Sequence, residues 1–294
     1  MKEVVVISGK GGCGKTSITA GLAWLAANDI VLADADVDAA DMHLLMAPDN
    51  TKEETFYSGK LAVVSQEKCI RCRICIDHCH FDAISVENAE LKINPIDCEG
   101  CGLCTHVCPH NALHMETQAA GILFEAFTRQ NSPMVHAKLN IGADNSGKLV
   151  TEVKNRSRVV AEREGRDIIL TDGPPGIGCP VIAAISGASM ALVVTEPTTS
   201  GWHDMKRVNE LLQKMEIPAM IVLNKADINP DYSRKIKAFA EENNLGYTQE
   251  LPYDPVFSRA VSEGLTVPET GRSDLTAIFE KIWQDIVNTV KLNK

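Results

Sequence analysis

The sequence has no run of 18 or more apolar residues, so no helix in it is expected to span a membrane. Basic charge is also scarce. The chain carries 29 Lys and Arg against 39 Asp and Glu, and a formal net charge of −10 argues against a nucleic-acid-binding surface. Met1-Lys2 runs straight into a β-branched stretch, so no leader is expected, and the expectation is a cytoplasmic chain without membrane association. Cysteine, by contrast, is plentiful. Ten cysteines in a compartment where disulfides are rare need another explanation. Eight of them lie between residues 69 and 108, and clustered cysteines in a reducing compartment commonly hold metal.

The first forty residues read β-loop-α-β. "EVVVIS" is a continuous apolar run, the pattern of a strand buried on both faces, and "IVLADAD" is a second strand ending in acids. The polar stretch "APDNTKEETFYSG" at 47–59 reads as a boundary. Residues 61–117 differ in composition and repeat internally, as laying Cys69 on Cys98 shows. The α/β pattern then resumes with the strands "GRDIILTD", "ALVVTEPT" and "PAMIVLNKAD". Strands alternating with helix-length segments imply an α/β fold with a doubly wound, mostly parallel sheet. The expected organisation is one such domain in two parts, 1–60 and 118–294, with 61–117 as a small α+β insertion.

Residues Gly9, Lys10, Gly11, Gly12, Cys13, Gly14, Lys15 and Thr16, followed by Ser17, fit the phosphate-loop pattern G-x-x-x-x-G-K-[ST]. Such a loop works through backbone N–H groups aimed inward and the positive end of the following helix. Lys15 is expected at the β/γ-phosphates and the Thr16 hydroxyl on Mg2+. Asp172, ending an apolar strand before "GPPGIG", is the expected partner on the Mg2+ side, through a water. Asp34 and Asp36 end another strand on the ligand-binding edge, where one of them is placed to orient an attacking water.

The eight clustered cysteines read Cys69-x2-Cys72-x2-Cys75-x3-Cys79 and Cys98-x2-Cys101-x2-Cys104-x3-Cys108-Pro109. This spacing, twice over, is that of a ferredoxin with two [4Fe–4S] clusters, in which the fourth cysteine of each run serves the other cluster. The expected sets are Cys69, Cys72, Cys75 and Cys108, and Cys98, Cys101, Cys104 and Cys79. Zinc knuckles space their C-x2-C pairs by a dozen or more residues and do not fit. His80 stands where the pattern has Pro, and none of the nearby histidines is read as a ligand. The segment carries eight acids against four bases, a balance suited to a basic redox partner.

The stretch "KGGCGKTS" resembles the deviant phosphate loop of the MinD/Mrp/ParA ATPases and the nitrogenase iron protein. The resemblance implies an ATPase whose extra lysine, here Lys10, crosses a homodimer interface to the nucleotide of the other subunit in the ATP-bound state. It makes Asp36 the first-switch aspartate and Asp172 the second. It also places Asn224 against adenine and "LPYDP", with Pro252, beside the base. "NKAD" at 224–227 matches the guanine-reading pattern as well, and GTP stands as the alternative.

By the same resemblance, three functions are open. The ATPase gates electron transfer through the two clusters to a redox partner, it assembles or carries iron–sulfur clusters to an acceptor as Mrp-type relatives do, or it is a ParA-like positioning ATPase. Cys13 and Cys179 are expected to be small buried thiols rather than ligands of a bridging cluster. The apolar stripe of the C-terminal helix, Leu275 to Val290, is expected to pack on the domain core.

Overall fold

The computed structural model describes residues 1–143 and 145–292. Asp144, Asn293 and Lys294, all within the expected segment 118–294, lie outside the described residues.

Eleven strands are described: β1 Lys2–Ser8, β2 Ile30–Asp34, β3 Asp49–Val64, β4 Ile84–Glu87, β5 Glu90–Ile93, β6 Leu113–Phe127, β7 Pro133–Leu139, β8 Ile168–Pro175, β9 Met190–Thr195, β10 Ala219–Leu223 and β11 Gly246–Glu250. The helices are α1 Lys15–Leu25, α2 Met42–Met46, α3 Ile74–Asp77, α4 Leu103–Val107, α5 Ser146–Glu164, α6 Cys179–Ile185, α7 Thr199–Lys214, α8 Pro230–Glu242, α9 Val256–Ser262 and α10 Ser273–Leu292. Nine strands form one sheet in the order β11-β10-β9-β1-β8-β2-β7-β6-β3. From β11 to β7 every neighbouring pair is parallel. The doubly wound parallel sheet expected from the sequence is therefore present.

Burial follows from this topology. Val4 to Ile7 of β1 are fully buried because helices cover both faces of the sheet. Val4 and Val6 point into a core with Ile18 and Leu22 of α1 and Phe279, Ile282 and Ile286 of α10. Helices α5 and α6 pack on one another and against β2 and β8. The apolar stripe of α10 is spent in this core, as its pattern implied.

The chain divides into two compact units, residues 1–54 with 123–138 and 146–294, and residues 55–122 with 139–145. The polar stretch at 47–59, read as a boundary, is mostly strand β3, the last in the sheet order. Its residues through Tyr57 are nearly all exposed, so no alternating apolar face marks it in the sequence. Charged edge strands of this kind resist pairing with other chains.

The smaller unit keeps the repeat in its backbone. Arg71, Arg73 and Asp82 adopt left-handed conformations (φ 61, 67 and 52°), and so do their counterparts in the second half, Gly100, Gly102 and Asn111 (φ 63, 75 and 50°). Ser65 donates to the Ala112 carbonyl at 2.7 Å, and Asn94, the counterpart of Ser65, donates to the Ala83 carbonyl at 2.8 Å. Each half thus begins beside the tail of the other.

In the larger unit, Phe279 tests the core. Its ring lies so close to Gly21 of α1 that a Cβ there would collide with it. Phe279→Ala is expected to lower stability by about 3–5 kcal/mol. Urea unfolding followed by tryptophan fluorescence checks this, because Trp24, Trp202 and Trp283 all belong to the larger unit. A loss below about 1 kcal/mol would contradict the packing.

Candidate functional site

The phosphate loop links the end of β1 to α1. Gly14 needs to be glycine twice over: its φ is 92°, and a Cβ would strike the Asn224 side chain. Lys15 opens α1 and is buried with its Nζ 2.9 Å from Asp172 Oδ2 and 3.4 Å from Asp36 Oδ2. Burial alone would push this ammonium down; the carboxylates of Asp172, Asp36 and Asp34 outweigh it and hold the lysine above its ordinary value. Thr16 donates to Asp172 Oδ2 at 2.9 Å, and Thr19 donates to Asp172 Oδ1 at 2.7 Å. Thr19 was not among the expected site residues, although its place one helical turn after Thr16 puts it on the same face of α1.

Parallel register brings the acids together. Asp34 of β2 sits opposite Asp172 of β8, while Lys15 rises from the loop beside them. Gly11, Gly12, Lys15, Thr16, Asp36 and Asp41 line one hollow at this sheet edge. A second hollow is lined by Gly12, Ser17, Asn224, Pro252, Tyr253 and Phe257. Asn224 donates from Nδ2 to the Cys13 carbonyl at 2.8 Å, so the residue just past the end of β10 props the phosphate loop directly. Asp227, the last residue of the guanine-reading pattern, accepts the Tyr253 N–H through Oδ1 at 2.6 Å and does not line the second hollow.

Lys10 is held within its own chain. Its Nζ lies 2.6 Å from Glu196 Oε1 and donates to Ser200 at 2.9 Å. Glu196 also pairs through Oε2 with Lys225 at 2.8 Å, and Lys225 reaches the Gly12 carbonyl at 3.3 Å. Burial would raise the Glu196 carboxyl, but Lys10 and Lys225 hold it below the usual range. Glu196 was not foreseen, because a single acid after an apolar strand carries no motif. Gly9 packs against Asp204. Cys13 is buried as expected, and burial pushes its thiol up. Cys179 departs from expectation: it is exposed at the start of α6, where the helix has only begun to pack.

In the smaller unit the eight thiols divide between two hollows. One is lined by Cys69, Cys72, Cys75 and Cys108, the other by Cys79, Cys98, Cys101 and Cys104. Cys75 and Cys104, on α3 and α4, are buried in matching positions, while Cys72 and Cys101 are exposed. Burial would raise the Cys108 thiol, but backbone N–H groups of Ala112, His110, Leu113 and Asn111 turn toward it and hold it below its ordinary value. Among the described residues no three His, Cys, Asp or Glu side chains close to the spacing of a single metal ion.

The model of the CobQ/CobB/MinD/ParA nucleotide binding domain matches residues 4–267. An uncharacterized protein of Methanocaldococcus jannaschii is 36% identical over 230 residues, covering 77% of this chain and 79% of the relative. An iron-sulfur cluster carrier protein of Pyrococcus abyssi is 20% identical over 98% of this chain and 86% of its own length. The septum site-determining protein MinD of Pyrococcus horikoshii, solved with Mg-ADP, superposes over 100% of this chain and 98% of its own with a TM-score of 0.58; at 18% identity this shows the fold alone. The chain belongs to the CobQ/CobB/MinD/ParA nucleotide-binding domain family.

Asp34 gives the site a pH dependence. Its carboxyl is held well above the ordinary aspartate value, first by burial and then by Asp172, against the pull of Lys15. An acid whose pKa rises on folding favours the folded state below its unfolded value of 3.8 and loses that favour as pH climbs through the folded pKa. Asp34→Asn keeps the Oδ1 acceptor used by the Asp36 N–H at 3.2 Å. Without nucleotide, the variant is expected to melt above the parent at about pH 8 and to lose that advantage toward about pH 4. Calorimetry across this range checks it, and a difference independent of pH would refute the assignment.

Proposed function

We propose that this chain is a Mg2+-dependent ATPase, dimeric with itself in the ATP-bound state, that couples its nucleotide to one-electron transfer through two [4Fe–4S] clusters. The observation that carries the reading is the division of eight thiols into two hollows, each with three cysteines from one run and the fourth from the other. Four thiols per hollow fit a four-iron cube, in which each thiolate binds its own iron. Cys69, Cys72, Cys75 and Cys108 would hold one cluster, and Cys98, Cys101, Cys104 and Cys79 the other. Bound there, the clusters supply storage of single electrons.

The nucleotide chemistry falls to the larger unit. Gly11 to Thr16 cradle the phosphates through backbone N–H groups, with Lys15 turning from Asp172 and Asp36 toward the β/γ-phosphates. Thr16, which donates to Asp172 at 2.9 Å, would offer its hydroxyl to Mg2+, and Asp172 would serve the ion through a water. Asp36 shares the phosphate hollow and orients the attacking water. Ser17, Asn224 and Pro252 border the adenine, and the engagement of Asp227 Oδ1 by backbone favours adenine over guanine. Lys10 serves the partner subunit's nucleotide, for which it must leave Glu196.

The Pyrococcus abyssi relative supports a second reading, a carrier that hands clusters to an acceptor protein. Four thiols per cluster support permanent attachment and hence the first.

An anaerobic reduction titration followed by electron paramagnetic resonance, with and without a non-hydrolysable ATP analogue and Mg2+, tests the coupling. A shift on the order of 60 mV, about 1.4 kcal/mol for one electron, is the expected result. Unchanged potentials with iron readily lost to a chelator would favour the carrier instead. Lys10→Ala is expected to bind nucleotide normally, yet to lose ATP-dependent dimerisation and slow hydrolysis by about 10³-fold. Light scattering and phosphate release measure the two effects, and normal turnover would refute a role across the interface.

A further inference from the structure

The repeat makes the two halves of the cysteine unit comparable position by position, and their surface charge differs in sign. Around exposed Cys72 stand three exposed cations, Lys68, Arg71 and Arg73. At the corresponding positions around exposed Cys101 stand Asp97, Gly100 and Gly102, and Glu99 replaces Ile70. Three of the four bases in 61–117 are therefore gathered at one cluster in a chain of net charge −10. Lys68, Arg71 and Arg73 make no ion pair among the described residues, and Arg71 acts on Glu90 only at a distance. Ile70, 61% exposed, sits among them.

The backbone adds a second observation. Arg71 and Arg73 are left-handed, at φ 61 and 67°, where their counterparts Gly100 and Gly102 hold 63 and 75°. Arginine in that conformation is strained, whereas glycine is not. The fold makes the same turn with glycine in the second half of the repeat, so the turn itself does not call for arginine. Strain retained twice beside one exposed ligand position points to a use for the charge.

We infer that Lys68, Arg71 and Arg73 form the docking face for an acidic one-electron carrier protein, which exchanges its electron beside Cys72. This rests on the two-cluster reading above. The carrier is oxidised by one electron and the group held by Cys69, Cys72, Cys75 and Cys108 is reduced by one, with no bond made or broken and no proton moved. The cationic rim steers the carrier to this face, while Asp97 and Glu99 repel it from the other. The acid-rich composition of the segment therefore misleads about its partner, because the bases are concentrated where the electron enters.

The test uses the full-length, cluster-loaded protein and a reduced flavodoxin of net negative charge, mixed anaerobically in a stopped-flow instrument. The second-order rate of electron transfer is expected to fall steeply as salt rises. The double variant Arg71→Gly, Arg73→Gly takes the backbone of the other half and is expected to fold; its rate at low salt should drop about tenfold or more, with a flatter salt dependence. Arg71→Lys with Arg73→Lys should keep most of the rate. Iron and sulfide are assayed in each protein. A glycine variant with full iron and an unchanged rate would overturn the docking face alone, as would an equal loss in the lysine variant. A parent protein without iron would overturn the two-cluster reading and this inference with it.

Discussion

Three carboxylates, Asp34, Asp36 and Asp172, meet around one buried ammonium, that of Lys15, and the nucleotide-binding edge of the fold is organised by that meeting. The contact requires β8 to lie between β1 and β2 in register, because only then does Asp172 stand beside both Asp34 and the phosphate loop. It also requires the first turn of α1, which brings Thr16 and Thr19 onto Asp172 from the same side. An arrangement with more carboxylates than cations is electrostatically costly in a buried place. In keeping with that cost, burial and the neighbouring Asp172 hold the Asp34 carboxyl well above its ordinary value.

A second ionic group sets the opposite border of the loop. Glu196 binds Lys10 and Lys225 together, and Lys225 in turn touches the Gly12 carbonyl. One carboxylate thus holds the lysine that the family resemblance assigns to the partner subunit and the lysine next to Asn224. Any move of Lys10 away from its own chain breaks a short pair with a buried carboxylate and leaves Glu196 with Lys225 as its remaining ion-pair partner among the described residues.

The smaller unit obeys a different constraint, its internal symmetry. Left-handed residues recur at the same offset as the cysteines, and the hydrogen bonds from Ser65 and Asn94 cross between the halves. That crossing explains why the fourth cysteine of each run lines the hollow of the other run. The symmetry holds for the backbone and the thiols but not for the charges, and the difference between Arg71 and Gly100 is where the two halves cease to be equivalent.

Local features were legible in the sequence because their physics is local. The phosphate loop needs glycines and a lysine at fixed spacing before a helix, buried parallel strands need unbroken apolar runs, and paired cysteine runs need their short gaps. Strand β3 was hidden because its exposed residues leave no apolar periodicity, and the exposure of Cys179 was hidden because one residue carries no pattern. Glu196 and Lys10 are far apart along the chain and meet only because β9 pairs with β1. By itself the sequence determined which groups are available and the local turns that present them. The tertiary structure alone decided which charges neutralise one another, because strand order and register, not sequence spacing, set the distances over which Coulomb forces act.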